Sequence, residues 1–316
     1  MFYYISKKLF VSLITLFIIS LFAFSLMHLL PGDPVINVLG EGATDEDIAY
    51  WRSYYNLDQP ILKQYVLWVR NFIKGDMGVS LMYEEDVSET LARRLPVTLA
   101  VGIPICIVSI FFGILFGVIT AVKRGTWIDQ VLTTMANIGI ASPLFWFAIM
   151  LILIFGMQLN ILPFRGFVAP SENFVEYLKS IALPVAAGSL GFVAVITRQT
   201  RSNMLEVLNQ DYIRTARANG LSEVSILFTE ALKNALIPII TIMGMQIRII
   251  VGGSIIIEQV FSIPGIGSWL IRAITNRDYW IVQACVLVIS IVTVFSNLLV
   301  DILYGFIDPR IRKKWR

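Results

Sequence analysis

Residues 96–122 read PVTLAVGIPICIVSIFFGILFGVITAV, twenty-seven positions without one charged side chain. A hydrocarbon core is crossed by roughly 17–25 residues of helix, so this run is long enough to span a membrane and too apolar to face water. Outward from it the pattern repeats. Runs of the same character occupy Leu9–Leu30, Val131–Met157, Ile181–Thr197, Leu236–Ile257 and Trp280–Ile307. The expected fold class is therefore an all-α integral membrane protein with six transmembrane helices. The Ile181–Thr197 run is the shortest and holds Pro184, Gly188 and Gly191. Such small residues suit a helix packed closely among others.

Composition agrees. Of 316 residues 57% are hydrophobic and 15% charged, with mean hydropathy +0.75; soluble domains carry about 25% charged residues. A net charge of +3, with no basic stripe, gives no footprint for nucleic acid. The two cysteines, Cys106 and Cys285, fall inside apolar runs without disulfide or metal-ligand spacing, and read as free thiols.

The first run follows Lys7 and Lys8, as a secretory signal would. It is longer than the 7–15-residue core of such a signal and no small-x-small cleavage site follows. Pro31-Gly32-Asp33-Pro34 ends it instead, since proline cannot continue a helix. It reads as a retained span. With the N-terminus placed in the cytosol, the inner side holds fourteen basic residues, including Lys123, Arg124, Arg198, Arg201, Lys233 and the tail from Arg310. The short outer loops hold four: Arg165, Lys179, Arg272 and Arg277. That bias fixes orientation, with both termini cytosolic. The resulting organisation is a first span over residues 1–30, an extracytoplasmic segment over 31–95, and a five-span core over 96–316 that includes a cytosolic loop at 198–236.

The outer segment carries eleven acidic residues against six basic. From Asp45 to Lys74 its aromatic and aliphatic residues recur at three- and four-residue steps, which predicts amphipathic helix. Thr44 is placed to cap it, with Asp45, Glu46 and Asp47 in the first turn. Two readings stand: a shield over the spans, or a dock for an external partner.

Enzyme chemistry lacks its parts. There is no Gly-x4-Gly-Lys-[Ser/Thr] phosphate loop. The single histidine, His28, sits at the end of the first span, so neither a two-histidine zinc site nor a histidine base for a serine nucleophile is available. Metal ligands and resident cofactors are not expected.

The polar stretch from Arg198 to Ile237 is patterned. Leu205, Leu208, Tyr212 and Thr215 or Ala216 recur at helical spacing, Gly220 is expected to stop that helix, and Glu223–Leu236 leads into the fifth run. A helix–Gly–helix elbow results, presenting Arg214 and Arg217 beside Ala216 and Ala218. It reads either as a plain surface hairpin or as a contact for another protein.

This elbow carries a resemblance. Asp211-Tyr212-Ile213-Arg214-Thr215-Ala216-Arg217-Ala218-Asn219-Gly220-Leu221-Ser222, then Lys233-Asn234-Ala235-Leu236-Ile237-Pro238, resembles the coupling loop of bacterial binding-protein-dependent ABC importer permeases, and within them the dipeptide/oligopeptide/nickel branch. The resemblance covers essentially the whole chain. Leu30-Pro31-Gly32-Asp33-Pro34, Arg94-Leu95-Pro96-Val97-Thr98-Leu99, Asp301 with Tyr304, and Asp308-Pro309-Arg310 are similar to other family signatures. So is the outer turn from Glu258 to Gly267, with Phe261, Pro264 and Gly265.

It implies a permease subunit of the bacterial cytoplasmic membrane. Its implied partners are a sister permease, two cytosolic ATPase subunits that bind ATP and Mg, an extracytoplasmic solute-binding protein and membrane lipid. Asp211, Tyr212, Arg214, Thr215, Ala216, Arg217, Ala218, Gly220 and Leu221 are the implied ATPase contact, and Gly220→Asp is expected to uncouple transport by blocking the turn. Di- and oligopeptides are the expected cargo, with nickel, a metal chelate or a glutathione-like solute as alternatives; a secondary transporter or channel is a more distant one.

Two departures stand out. Arg214-Thr215-Ala216 replaces the Glu-Ala-Ala common in the wider class. Arg248, after Gln246-Ile247, puts a charge near the middle of the fifth run, which costs about 2.5 kcal/mol or more on insertion scales. Gln246 and Arg248 read as pathway residues, with Arg248 favouring an anionic group, or else Arg248 pairs with an acidic residue elsewhere. Gly113, Gly117 and Gly252-Gly253-Ser254 allow close approach of helices, within this chain or to a neighbour.

Overall fold

The structure, a computed structural model, describes residues 2–29, 33–39, 42–80, 82–236, 239 and 255–307. Gln246, Arg248, most of the fifth apolar run and the tail from Asp308 lie outside them. The described chain is all-helical apart from one isolated antiparallel bridge, Val79 to Asp86.

The helices are α1 Phe2–Leu29, α2 Pro34–Leu39, α3 Asp45–Tyr54, α4 Ile61–Ile73, α5 Val87–Val122, α6 Trp127–Ala141, α7 Leu144–Leu151, α8 Phe174–Leu208 and α9 Asp211–Ala218. Then come α10 Glu223–Ser225, a short helix α11 at 255–260, α12 Ile266–Thr275 and α13 Tyr279–Ile307. Among the described residues, four are single helices long and apolar enough to cross a membrane: α1, α5, α8 and α13. The third apolar run is not one straight span. It folds as α6 and α7 bent by 111° at Ser142-Pro143, with α7 passing into a π-helical turn over Ile152–Gln158. Pro143 supplies the reason, since the residue before a proline is pushed out of helical geometry and Ser142 is extended (ψ 127°).

The core is the pair α5 and α8, which run parallel in constant register. A Cβ on Gly113 or Gly117 would collide with Ile196 or Thr200, and one on Gly188 with Ile105. These glycines let two backbones approach within this chain. The Ile181–Thr197 run, the shortest of the six in sequence, is thus the centre of a 35-residue helix, α8. At the periphery α1 packs antiparallel on α13. Lys8 pairs with Asp301 at 2.8 Å, and Gln283 Nε2 donates to the carbonyl of Phe24 at 3.4 Å. The first turns of α1 therefore lie beside the last turns of α13.

The segment before α5 forms two helices where one pattern was expected. Thr44 caps α3 in a reciprocal box with Asp47. The helix then breaks at Asn56, whose φ is 57°, and restarts after Pro60. Asparagine tolerates the left-handed region and proline opens a helix but cannot continue one. α4 lies against α1, with Ser20 and Tyr65 hydroxyls 2.8 Å apart. The Val79–Asp86 hairpin docks on the α12–α13 turn, where buried Ser80 donates to buried Asp278 and Asn276 Nδ2 donates to Tyr83 Oη at 2.6 Å.

Candidate functional site

Two constellations flank α5, one at each end. From Thr98 to Ala121 that helix rises about 35 Å at 1.5 Å per residue, roughly the thickness of a hydrocarbon core.

At the C-terminal end sits the elbow. The helix expected to run unbroken to Gly220 is in fact divided. α8 carries Leu205 and Leu208, Asn209 and Gln210 interrupt it, and α9 starts at Asp211 with Gln210 extended (ψ 151°). α9 turns Ile213 and Ala216 into a cluster with Ala121, Met204, Ile226, Ala231 and Ala235. Its other face, with Asp211, Tyr212, Arg214, Thr215, Arg217 and Ala218, is exposed, as is Leu221. Ala216 therefore belongs to the packed side, not to the presented one. Gly220 adopts φ +80°, and no atom lies within 4 Å of where its Cβ would be. The turn is dictated by backbone, not crowding. Ser222 then caps α10 through the Ser225 amide, and a π-helical turn over Ile226–Ala231 follows.

Two side-chain links close the elbow. Arg217 donates twice to Glu223 across Gly220, at 2.7 and 3.3 Å, and Asn234 Nδ2 donates to Tyr212 Oη at 3.1 Å. Hydrogen bonding from Arg217 holds the Glu223 carboxyl below its ordinary range, and the Arg217 guanidinium is raised by the same bond. Val224 and Phe228, 67% and 59% exposed, join Tyr212 and Leu221 in leaving apolar surface uncovered. Sequence reasoning missed these two. Their four-residue spacing in a polar stretch was the available signal. Just below the elbow, Asp129 of α6 accepts both Arg201 Nε and Nη2 of α8 at 2.9 Å, together with the Gly125 amide.

At the N-terminal end of α5 sits the turn between α11 and α12. Thr98 Oγ1 donates to Glu258 Oε1 at 2.8 Å and accepts the Ile266 amide at 2.9 Å, while Glu258 Oε2 accepts the Ser268 amide at 2.8 Å. The opening amides of α12 are thus capped by a buried carboxylate and a hydroxyl, and negative charge at a helix N-terminus is stabilised by the aligned peptide dipoles. Gly265 and Gly267 line that carboxylate, and any Cβ on Gly265 would strike it. Phe261 is buried with Ile263 among Val101, Ile105 and Tyr177, and its carbonyl accepts the Gly166 amide. Pro264 follows Ile263 in the turn. Two motifs far apart in sequence, around Thr98 and around Glu258, meet here. α12 itself was not foreseen, although Ile266, Trp269, Leu270 and Ala273 mark its buried face. Gln246 and Arg248 lie outside the described residues.

Comparison with known proteins gives these two ends a context. Residues 113–313 match the family described as binding-protein-dependent transport system inner membrane component, and residues 1–102 match the N-terminal component of such systems. A Brucella abortus (strain 2308) chain described as a peptide transport system permease protein is 39% identical over 308 residues, 98% of each chain. The dipeptide transport system permease protein DppB of Escherichia coli K12 is 37% identical over 320 residues, 94% of each chain. Among solved structures, the MetNI methionine ABC transporter in an inward-facing conformation aligns with TM-score 0.51 at 19% identity, covering 69% of this chain and 96% of that one. An amino acid ABC transporter structure aligns with TM-score 0.53 at 14% identity, over 69% and 94%. At those identities the structures speak for the fold alone. With two models matched across most of its length and relatives well above a third identical, the chain belongs to the binding-protein-dependent transport system inner membrane components.

Proposed function

We propose that this chain is one of two permease subunits lining the pathway of an ATP-driven importer of di- and oligopeptides. The observation that carries the reading is similarity of 37–39% over nearly the full chain to permeases described as serving peptide and dipeptide transport.

The proposed topology has six spans and both chain ends in the cytosol, divided into residues 1–30, 31–95 and 96–316. The antiparallel seating of α1 on α13 supports it, as does the excess of basic residues on one side. The α9–α10 elbow then faces the cytosol and the Glu258 turn faces outward. Of two cytosolic ATPase subunits, which bind ATP and Mg, one takes the exposed face of Asp211–Leu221 with Val224 and Phe228. A sister permease completes the pore, and an extracytoplasmic solute-binding protein delivers cargo. Gln246 and Arg248 are proposed as pathway residues on the cost of an uncompensated charge in mid-span.

Motion is carried by rigid parts. When ATP closes the ATPase pair, the elbow is displaced and α8 moves with it. α8 and α5 are closely packed at their glycines, where Ile196, Thr200 and Ile105 seat against the opposite helix, so α5 follows. Thr98 at the far end of α5 then shifts Glu258 and α12. The shift requires that the ATPase contact the elbow differently in its two states, since equal contact moves no equilibrium. The test is uptake of a labelled dipeptide, a longer peptide and radioactive nickel in cells lacking the chain, with and without its restoration. Restored peptide uptake with unaffected nickel supports the reading. Restored nickel uptake with unaffected peptide overturns the cargo and leaves the fold and coupling intact.

A further inference from the structure

A cavity of about 180 Å³ opens between α1, the α3–α4 region and the start of α13. Its lining includes Tyr54, Tyr55, Trp68, Trp280, Gln283 and Asp76, the last of them at the exposed rim. Asp76 is the one charged residue among the described residues lining it; no lysine or arginine does. The rings are held by one another. Tyr55 stacks on Trp51 with centroids 5.8 Å apart and lies 4.0 Å from Trp280, while its hydroxyl donates to the Val79 carbonyl. Asp76 uses Oδ1 to accept the Gly78 amide at 3.0 Å, which shapes the turn and leaves Oδ2 for another donor. Burial, and after it the nearby charge of Asp76, raises the Tyr54 hydroxyl above its ordinary value, so the field of this carboxylate reaches the cavity wall.

Aromatic rings attract cations through their quadrupoles, and a carboxylate adds a charge-assisted acceptor. We propose that this cavity is a binding site for a primary alkyl-ammonium group, held by Asp76 within the wall of Tyr54, Tyr55, Trp68 and Trp280. Its volume suits a head group or a very small amine, being below the 300–1,000 Å³ usual for drug-sized ligands. Two sources carry that chemistry: a small molecule with a free amine, and the ethanolamine head of a phospholipid. The lipid source has a place for its tail. A second cleft, of about 470 Å³, shares Met27 and Gln283 with the first and is lined otherwise by Leu26, Ile274, Val282, Tyr279 and Arg277.

The test uses the assembled transporter in nanodiscs made of phosphatidylcholine, with radiolabelled ethanolamine as the probe in equilibrium binding. Saturable binding is expected, weakened about tenfold or more by Asp76→Asn, which keeps the oxygen that accepts the Gly78 amide, and by Tyr54→Leu. N-acetylethanolamine is expected not to compete. Displacement of the label when phosphatidylethanolamine replaces part of the bilayer assigns the site to lipid. Displacement by dialanine but not by that lipid assigns it to soluble amines. No saturable binding, equal binding by Asp76→Asn, or equal competition by N-acetylethanolamine overturns the proposal.

Discussion

Thr98 and Glu258, 160 positions apart, share a buried hydrogen bond of 2.8 Å, and the same threonine oxygen receives the first amide of α12. One hydroxyl thus serves the second apolar run and the turn after the fifth. Thr98→Val removes donor and acceptor together. It is expected to lower the stability of the purified complex by about 1–3 kcal/mol, the cost of stranding a buried polar group. Thr98→Ser, which keeps the oxygen, should stay near wild type. Thermal unfolding of the three proteins side by side is the check, and equal midpoints for Val and wild type would refute the link.

Gly265→Ala places a methyl group against the Glu258 carboxylate. Overpacking of this kind costs about 1–3 kcal/mol. Because the clash is with one side chain, Glu258→Ala in the same chain should cancel part of the loss. A double-mutant cycle read by thermal unfolding tests this; strict additivity would mean the two residues do not meet.

At Gly220 the left-handed backbone, not steric blockage, is what a substitution must meet. Asparagine and aspartate tolerate that region better than branched residues, so Gly220→Asp is expected to be a milder change than Gly220→Val. Gly220→Val is expected to cost about 1–2 kcal/mol locally and to reduce ATP-driven uptake much more than Gly220→Asn. Uptake in vesicles at matched expression decides it, and equal activity of Val and Asn would count against the strained turn.

The Arg217–Glu223 bridge gives the elbow a pH dependence whose sign is fixed. Glu223 is held below its ordinary value of 4.5 by Arg217. The bridge therefore contributes above that value and is lost as pH falls through the lowered one. Both groups are exposed, so the effect is small and screened by salt. Spin labels at Ala218 and Val224 should report a broader distance distribution as pH drops from about 6 to about 3. Glu223→Gln should show the broad distribution at neutral pH. A distribution unchanged in both would dismiss the bridge as a restraint.

Arg201 and Asp129 form a fork in which the carboxylate is buried and the guanidinium part-exposed. Arg201→Lys loses the two-pronged geometry, and Arg201→Ala leaves Asp129 with only the Gly125 amide and Thr133 hydroxyl. The expected loss for alanine is on the order of 2 kcal/mol, below the 3–5 of a fully buried pair. Chemical unfolding of the purified complex measures it.

How much of this was legible beforehand follows from what kind of force sets each feature. The apolar runs around α1, α5 and α13 were readable because lipid leaves a compositional mark over twenty or more residues. Thr44 was readable because a cap is local. The bend at Ser142-Pro143 was not read, since hydropathy continues unbroken across it while backbone geometry does not. The split of Asp45–Lys74 escaped for the same reason, with Asn56 and Pro60 acting inside an apolar period. Which helix received Gly113 and Gly117 was beyond reach, because a small residue announces close approach without naming the partner. At the candidate site, Gly220 was legible as a turn because glycine favours the left-handed backbone it adopts, while Tyr212 and Leu221, read as anchors of a partner contact, lie exposed on the elbow. Ala216 was placed with them although it packs inward, because a small apolar residue carries little directional signal. The meeting of Thr98 with Glu258 needed the three-dimensional path.

The seating of α1 on α13 sets an order of events during synthesis. The ribosome completes the first of these helices at Leu29 and begins the second only at Tyr279, 250 positions later. Throughout that interval α1 has no α13 to lie against. It must be at ease in lipid on every side, and its flank of Leu9, Phe10, Leu13, Phe17 and Ile18 remains exposed even when the chain is complete. Lys8 must likewise wait for Asp301, held meanwhile where its ammonium group can reach water. Assembly of the described helices brings α13 back against α1.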